Sequence, residues 1–169
     1  MGYRIGIIGP EASGKTTLAQ QLANRFAGVY IEEYARTYVM RKGSLDVSYD
    51  ELCSIAKHQI EEMKNLTAKR SYSDSGLTAE RSNSAAVFFD TELLVTKVWF
   101  SYAFHRVPEW LDQAILAYPM DLYLLTYPDL PWVQDGTRYN GSDTIRLELF
   151  DRYRQEIEAL GIPYYIIRH

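Results

Sequence analysis

Tyr3-Arg4-Ile5-Gly6-Ile7-Ile8 runs without a break into Gly9-Pro10-Glu11-Ala12-Ser13-Gly14-Lys15-Thr16. The first six residues are mostly apolar and read as a buried strand; the next eight match G-x-x-x-x-G-K-[ST] at every position. Beyond them, Leu18, Leu22 and Phe26 recur at helical spacing, with Ala19 and Ala23 alongside. A strand, a glycine-bearing turn and a helix are the setting in which this motif wraps phosphate. Glycine lets successive N–H groups turn toward one anion, and the positive end of the helix adds to their field. The motif makes Gly9, Glu11, Ala12, Ser13, Gly14, Lys15 and Thr16 candidates for holding ATP. Lys15 would reach the β- and γ-phosphates, and the Thr16 hydroxyl would be a ligand of Mg²⁺.

Outward from this stretch the chain keeps alternating. Val29–Ile31 reads as a second strand, followed by a helix over Tyr34–Met40 that stops at Gly43. Ser48 and Glu51 form a capping box opening a long helix marked by Leu52, Ile55, Ala56, Met63 and Leu66. Residues 70–84, rich in serine, read as a mobile loop. Ala85–Phe89 is a third strand closed by Asp90, and a helix carrying Leu94, Val95, Val98, Trp99 and Tyr102 follows. A short helix over Glu109–Tyr118 leads to a fourth strand, Asp121–Leu125. The loop 127–141 comes next, then a helix from about Ser142 with Phe150, Tyr153, Ile157 and Leu160 in line, and a last strand, Pro163–Ile167. This order predicts an α/β fold: a five-stranded parallel sheet flanked by helices, in one domain over residues 1–169. Ligands of such sheets bind beyond the carboxyl ends of the strands. Gly9–Thr16, Glu32 and Glu33, Asp90–Glu92 and the 127–141 loop all fall there.

Composition narrows the partners. With 47% apolar and 24% charged residues the chain has the balance of a globular protein, and its net charge of −4 with no basic stripe argues against nucleic acid. No apolar run approaches the roughly 20 residues that span a bilayer, so no membrane partner is expected. One cysteine, Cys53, on a helical apolar pattern, reads as core packing in a reducing compartment, and the cytoplasm is the expected location. Oligomeric state is open.

A phosphate loop by itself admits a kinase, a GTPase switch or a motor ATPase. The guanine-reading Asn-Lys-x-Asp string is missing, as is a transporter signature, and the chain is short for a motor. A small-molecule kinase is the expectation. Asp90, closing its strand, would hold the Mg²⁺ shell with Thr16. Glu33, with Glu32 as its rival, could face an acceptor hydroxyl as base, and Arg36 and Arg138 could stabilise the moving phosphoryl charge.

The later strings are more specific. Glu33-Tyr34-Ala35-Arg36, Asp90-Thr91-Glu92-Leu93-Leu94, Thr96-Lys97-Val98-Trp99, and Asp121 to Thr126 with Pro128 to Arg138 follow the phosphate loop and its Thr17-Leu18 in this order. Together they resemble the ribosylnicotinamide kinase domain of NadR-type proteins over nearly the whole chain. The resemblance implies ATP-dependent phosphorylation of the 5′-hydroxyl of nicotinamide riboside, giving nicotinamide mononucleotide. It adds Thr17 to the ATP-binding string. Glu92 stands where the family string carries a second Asp. A flat pyridinium cation calls for carboxylates and aromatic faces, so Glu33, Tyr34, Glu92, Trp99, Trp132 and Asp135 are expected to bind it, with Trp99 either stacked on the ring or packed in the core. The loop around Asp135–Arg138 would close as a lid. Two rivals stay open: a kinase for another nucleoside or small metabolite, and an ATP-binding regulatory switch.

Overall fold

The computed structural model describes residues 2–73, 85–132 and 142–169. In chain order the elements are β1 (Arg4–Ile8), α1 (Lys15–Arg25), β2 (Val29–Ile31), α2 (Tyr34–Lys42), α3 (Tyr49–Ser73), β3 (Val87–Asp90), α4 (Leu93–Phe104), α5 (Glu109–Ala117), β4 (Leu122–Thr126), α6 (Asp143–Leu160) and β5 (Tyr164–Ile167). The strands form one five-stranded sheet in the order β2-β3-β1-β4-β5, and every pairing is parallel. This is the P-loop α/β architecture that the alternation predicts. The long-helix expectation needs one correction: α3 continues to Ser73, so residues 70–73 are helical and do not open the loop. Residues 74–84 lie outside the described part, as do residues 133–141 of the expected lid.

Side-chain alternation along the strands builds a core on each face of the sheet. Ile8, Val87, Phe89, Tyr123 and Leu125 face α3, α4, α5 and α6, and pack with Leu52, Ile55, Leu94, Val98, Leu111, Phe150 and Ile157. Ile7 and Phe88 point to the other face and meet α1. That helix presents Ala19 and Ala23 as its fully buried residues, whereas Phe26 is 64% exposed. The helical stripe is therefore centred on the alanines, which let α1 lie close to β1 and β3. Cys53 is half-buried against the larger core. The capping box at α3 forms as read: the Ser48 N–H donates to Glu51 Oε2 at 2.8 Å, and the Glu51 N–H donates to Ser48 Oγ at 3.3 Å.

Topology selects where a site can form. The chain leaves β1 toward β2 on one side, and it leaves β3 toward β4 on the other. The carboxyl ends of the neighbouring strands β1 and β3 therefore flank a crevice that no crossover covers. Register sets Ile7 opposite Asp90 and Ile8 opposite Leu125, so Gly9, Thr91 and Thr126 meet at that edge.

Gly6 ties this frame together. Its cross-strand partner is Tyr123, and a Cβ at Gly6 would lie 2.7 Å from the tyrosine ring. The ring is 1% exposed and its hydroxyl is held by Glu92, so it has nowhere to swing. Gly6→Ala should overpack this spot and destabilise the fold by about 1–3 kcal/mol. Urea unfolding would show it as a lower midpoint at unchanged slope; an unchanged midpoint would mean that the ring moves freely.

A phosphate-binding loop and its cavity

The loop from Gly9 to Gly14 is bent back on the sheet by three residues with positive φ: Gly9 at 148°, Ala12 at 54° and Gly14 at 80°. At Gly9 close approach adds to conformation, since a Cβ there would come within 2.7 Å of the Thr126 carbonyl oxygen. Ser13, 1% exposed, pins the turn. Its hydroxyl lies 2.6 Å from the Pro10 carbonyl and 2.5 Å from the Thr126 hydroxyl, which in turn lies 3.2 Å from the Ile8 carbonyl. Ser13 thus supports the loop from beneath. Helix α1 begins at Lys15 with Gly14 as its N-cap, so Lys15, Thr16 and Thr17 form the first turn, Thr17 with an exposed side chain.

Lys15 donates to the Pro10 carbonyl at 2.7 Å. Burial pulls its pKa below the ordinary lysine range, against the opposing charges of Glu33, Asp90 and Glu11. Glu33 sits between β2 and α2 as the N-cap of that helix, and Arg36 donates to it at 3.3 Å. Burial raises the Glu33 pKa above the usual carboxylate range, and the Lys15 charge works the other way. A carboxyl held up in this manner is a better proton acceptor than an exposed one. Asp90 is 1% exposed at the end of β3. Its Oδ2 accepts from the Tyr30 hydroxyl at 3.2 Å, while burial pushes the Tyr30 phenol up to about 12 and keeps it a donor.

Asp90 Oδ1 is buried with no hydrogen-bond partner among the described residues. An orphaned carboxylate oxygen is costly unless something cationic or protic meets it. Beside the first turn of α1 it fits a hydrated divalent cation. No group of three or more His, Cys, Asp or Glu is placed to hold a metal among the described residues. A cation here would need water and phosphate oxygens to complete its shell, which suits Mg²⁺.

A cavity of about 530 Å³ opens beside the loop. Gly9, Glu11, Ala12, Lys15, Glu33, Arg36 and Trp99, all singled out in the sequence, share its wall. Tyr102 and Tyr153 join them, and Leu52, Ile55, Val95 and Phe104 add apolar lining. Glu33, and not Glu32, faces this space; Glu32 is exposed and accepts from Thr37 Oγ1 at 3.5 Å. Trp99 lines the cavity, and its ring stands edge-on to Tyr102 at 5.8 Å and packs against the core.

Three of the residues expected to bind substrate lie off this wall. Tyr34 turns away from the cavity and stacks on His58 of α3 at 3.6 Å. Glu92 is 3% exposed and caps α4: its carboxylate accepts from the Leu94 N–H at 3.0 Å and from the Tyr123 hydroxyl at 3.3 Å. Trp132 is half-buried and takes no part in the cavity wall. Asp135 and Arg138 lie outside the described residues. Reading the sequence missed Thr126, Tyr153 and Arg146. The last left a trace, because Arg146 interrupts the apolar face formed by Leu149, Phe150, Tyr153 and Ile157.

The Glu92 carboxyl carries a pH signature. Burial raises its pKa to about 7, with the Leu94 and Tyr123 donors opposing. A glutamate in the unfolded chain titrates at about 4.3. Between these values the folded protein keeps a proton that the unfolded chain releases, so stability falls as pH rises through the window. Glu92→Gln keeps the shape and removes the titration. Relative to the unmutated protein the variant should gain on the order of 3 kcal/mol between pH 4.5 and 8. Urea midpoints of both proteins across that range test it; parallel curves would show that Glu92 does not titrate there.

Comparison with known proteins agrees with this architecture. The profile of the AAA domain family matches residues 4–169. The trifunctional NAD biosynthesis/regulator protein NadR of Escherichia coli (strain K12) is 30% identical over 160 residues, which is 95% of this chain and 37% of that protein. A crystal structure of NadR in complex with NR superposes with a TM-score of 0.75 at 22% identity, covering 98% of this chain and 45% of that one. A second, in complex with NAD and AMP-PNP, gives 0.71 at 21% identity, covering 98% and 44%. The chain thus spans less than half the length of the NadR proteins it matches. No described helix is long and apolar enough to cross a membrane. With the phosphate motif complete and the family profile matched from β1 through β5, the chain belongs to the AAA domain family.

Proposed function

We propose that this chain is an ATP-dependent kinase that transfers the γ-phosphoryl group to the 5′-hydroxyl of nicotinamide riboside, yielding nicotinamide mononucleotide. The observation that carries the reading is the shared wall: the loop, Lys15 and Glu33 line the same cavity as Trp99, Tyr102 and a set of apolar side chains. Such a space can take a flat ring against its aromatic side chains and present a hydroxyl to the loop. NadR, the curated relative, is named for NAD biosynthesis, and NadR structures hold NR and AMP-PNP.

In this mechanism the loop amides and Lys15 hold the β- and γ-phosphates in line with the acceptor. Thr16 and Asp90 would hold Mg²⁺, which supplies charge neutralisation for the phosphate oxygens. Glu33 accepts the 5′-hydroxyl proton as the oxygen bonds to the γ-phosphorus and the bond to the bridging oxygen of ADP breaks. Arg36, paired with Glu33, orients that carboxylate and adds positive charge beside the moving group. Arg138, outside the described residues, would be a second cation for the same charge. The apolar walls exclude water, the competing acceptor.

An acceptor screen tests the assignment. ADP release should rise many-fold with nicotinamide riboside and not with purine or pyrimidine nucleosides, and Glu33→Gln should lower that turnover by roughly 10²- to 10⁴-fold with ATP affinity nearly intact. Equal release with no acceptor present would favour a regulatory ATPase.

Trp99 tests the substrate's charge. Trp99→Leu should weaken nicotinamide riboside binding by about 0.5–2 kcal/mol, the range of a cation–π contact, and leave ATP affinity unchanged. The neutral reduced nucleoside should lose a similar amount on the unmutated protein, and the two losses should not add. A variant that melts earlier yet keeps its preference for the cation would confine Trp99 to packing.

A further inference from the structure

Arg146 lies in the first turn of α6 and is 1% exposed, the largest fully buried side chain among the described residues. Among the described residues its carboxylate partner is Asp143 at 3.2 Å, whose own side chain is 86% exposed. Three further hydrogen bonds go to main-chain oxygens: Nε to Glu11 at 3.2 Å, Nη2 to Ala12 at 3.2 Å and to Leu130 at 2.9 Å. Burying a guanidinium is costly unless its donors are met, and an apolar residue would fill the stripe of α6 more cheaply. Something other than core packing is obtained from it.

The peptide plane says what. In a trans peptide the C=O and the following N–H point in opposite directions. Holding the Glu11 and Ala12 carbonyls toward Arg146 therefore turns the Ala12 and Ser13 N–H groups the other way. The His169 ring treats the next peptide alike, with Nε2 lying 3.2 Å from the Ser13 carbonyl, which sets the Gly14 N–H. Three successive carbonyls of the phosphate motif are thus held by side chains from α6 and from the segment after β5. Ala12, at a φ of 54° that a non-glycine residue adopts only at a cost, sits in the middle of this run.

We infer that Arg146 is a positioning residue for polyphosphate binding: it holds the loop amides in their phosphate-accepting orientation and joins the loop to Leu130 on the β4–α6 connection. The inference rests on the reading of this loop as an ATP site. It concerns a residue that does not line the cavity.

The test compares Arg146→Lys and Arg146→Ala with the unmutated protein in three measurements: ADP affinity by calorimetry, the KM values for ATP and nicotinamide riboside, and thermal unfolding. Arg146→Ala should weaken ADP binding and raise the ATP KM by about tenfold or more, as expected for lost charge-assisted hydrogen bonds, with the acceptor KM within about twofold. Millimolar guanidinium should restore part of the ADP affinity to Arg146→Ala and add nothing to the unmutated protein. Arg146→Lys, able to reach one carbonyl but not three, should fall between, and it carries the test alone if the alanine variant does not fold. An Arg146→Lys protein that melts earlier while its ADP affinity and ATP KM stay within about twofold of the unmutated values overturns the inference. Failure of the unmutated protein to bind ADP at all would instead overturn the ATP-site reading, and this inference with it.

Discussion

The structure depends on one tight junction, where β1 ends against the end of β4. Gly9 lies so close to the Thr126 carbonyl that no side chain fits between them, and the Thr126 hydroxyl links Ile8 to Ser13 within the bend. Parallel pairing of β1 with both β3 and β4 fixes the heights of Asp90 and Thr126 relative to the loop. Because the crossovers diverge from β1 and β3, the space in front of this junction is left to the loop and its cavity. Sheet topology, loop geometry and site position are one constraint seen at three scales.

Charge at the junction is arranged to be nearly balanced and poorly solvated. Lys15 is half-buried beside Glu33, Asp90 and Glu11, while Arg36 pairs with Glu33. Burial works against both the ammonium and the Glu33 carboxylate, moving their pKa values toward each other. An arrangement of this kind costs stability in the resting protein, yet its field and proton affinity are then present before a ligand arrives. The buried Asp90 oxygen that has no partner among the described residues belongs to the same design.

Behind the site a second layer of polar contacts does structural work. Gly6 admits the Tyr123 ring, Tyr123 donates to Glu92, and Glu92 caps α4, the helix that carries Trp99 to the cavity wall. An acidic residue directly after a strand can serve a cation, as Asp90 can, or a helix N-terminus, as Glu92 does. The two lie two residues apart in the chain, and only their surroundings tell them apart.

The sequence by itself determined the fold and the phosphate loop. Strand and helix periodicities are local, and G-x-x-x-x-G-K-[ST] encodes a backbone path that few other residues can follow, so both are legible without neighbours. The capping box at Ser48 and Glu51 was readable for the same reason. Which of Glu32 and Glu33 lines the cavity, the turning of Tyr34 onto His58, and the withdrawal of Glu92 into a cap were decided by tertiary structure, because adjacent residues differ only in which packed surface they meet. Arg146 shows this most plainly. It stands more than a hundred residues from the loop it holds, and along the chain it is only a charge out of place in an apolar stripe. Its meaning appears when α6 packs across the sheet and the guanidinium reaches carbonyls that the loop itself cannot satisfy.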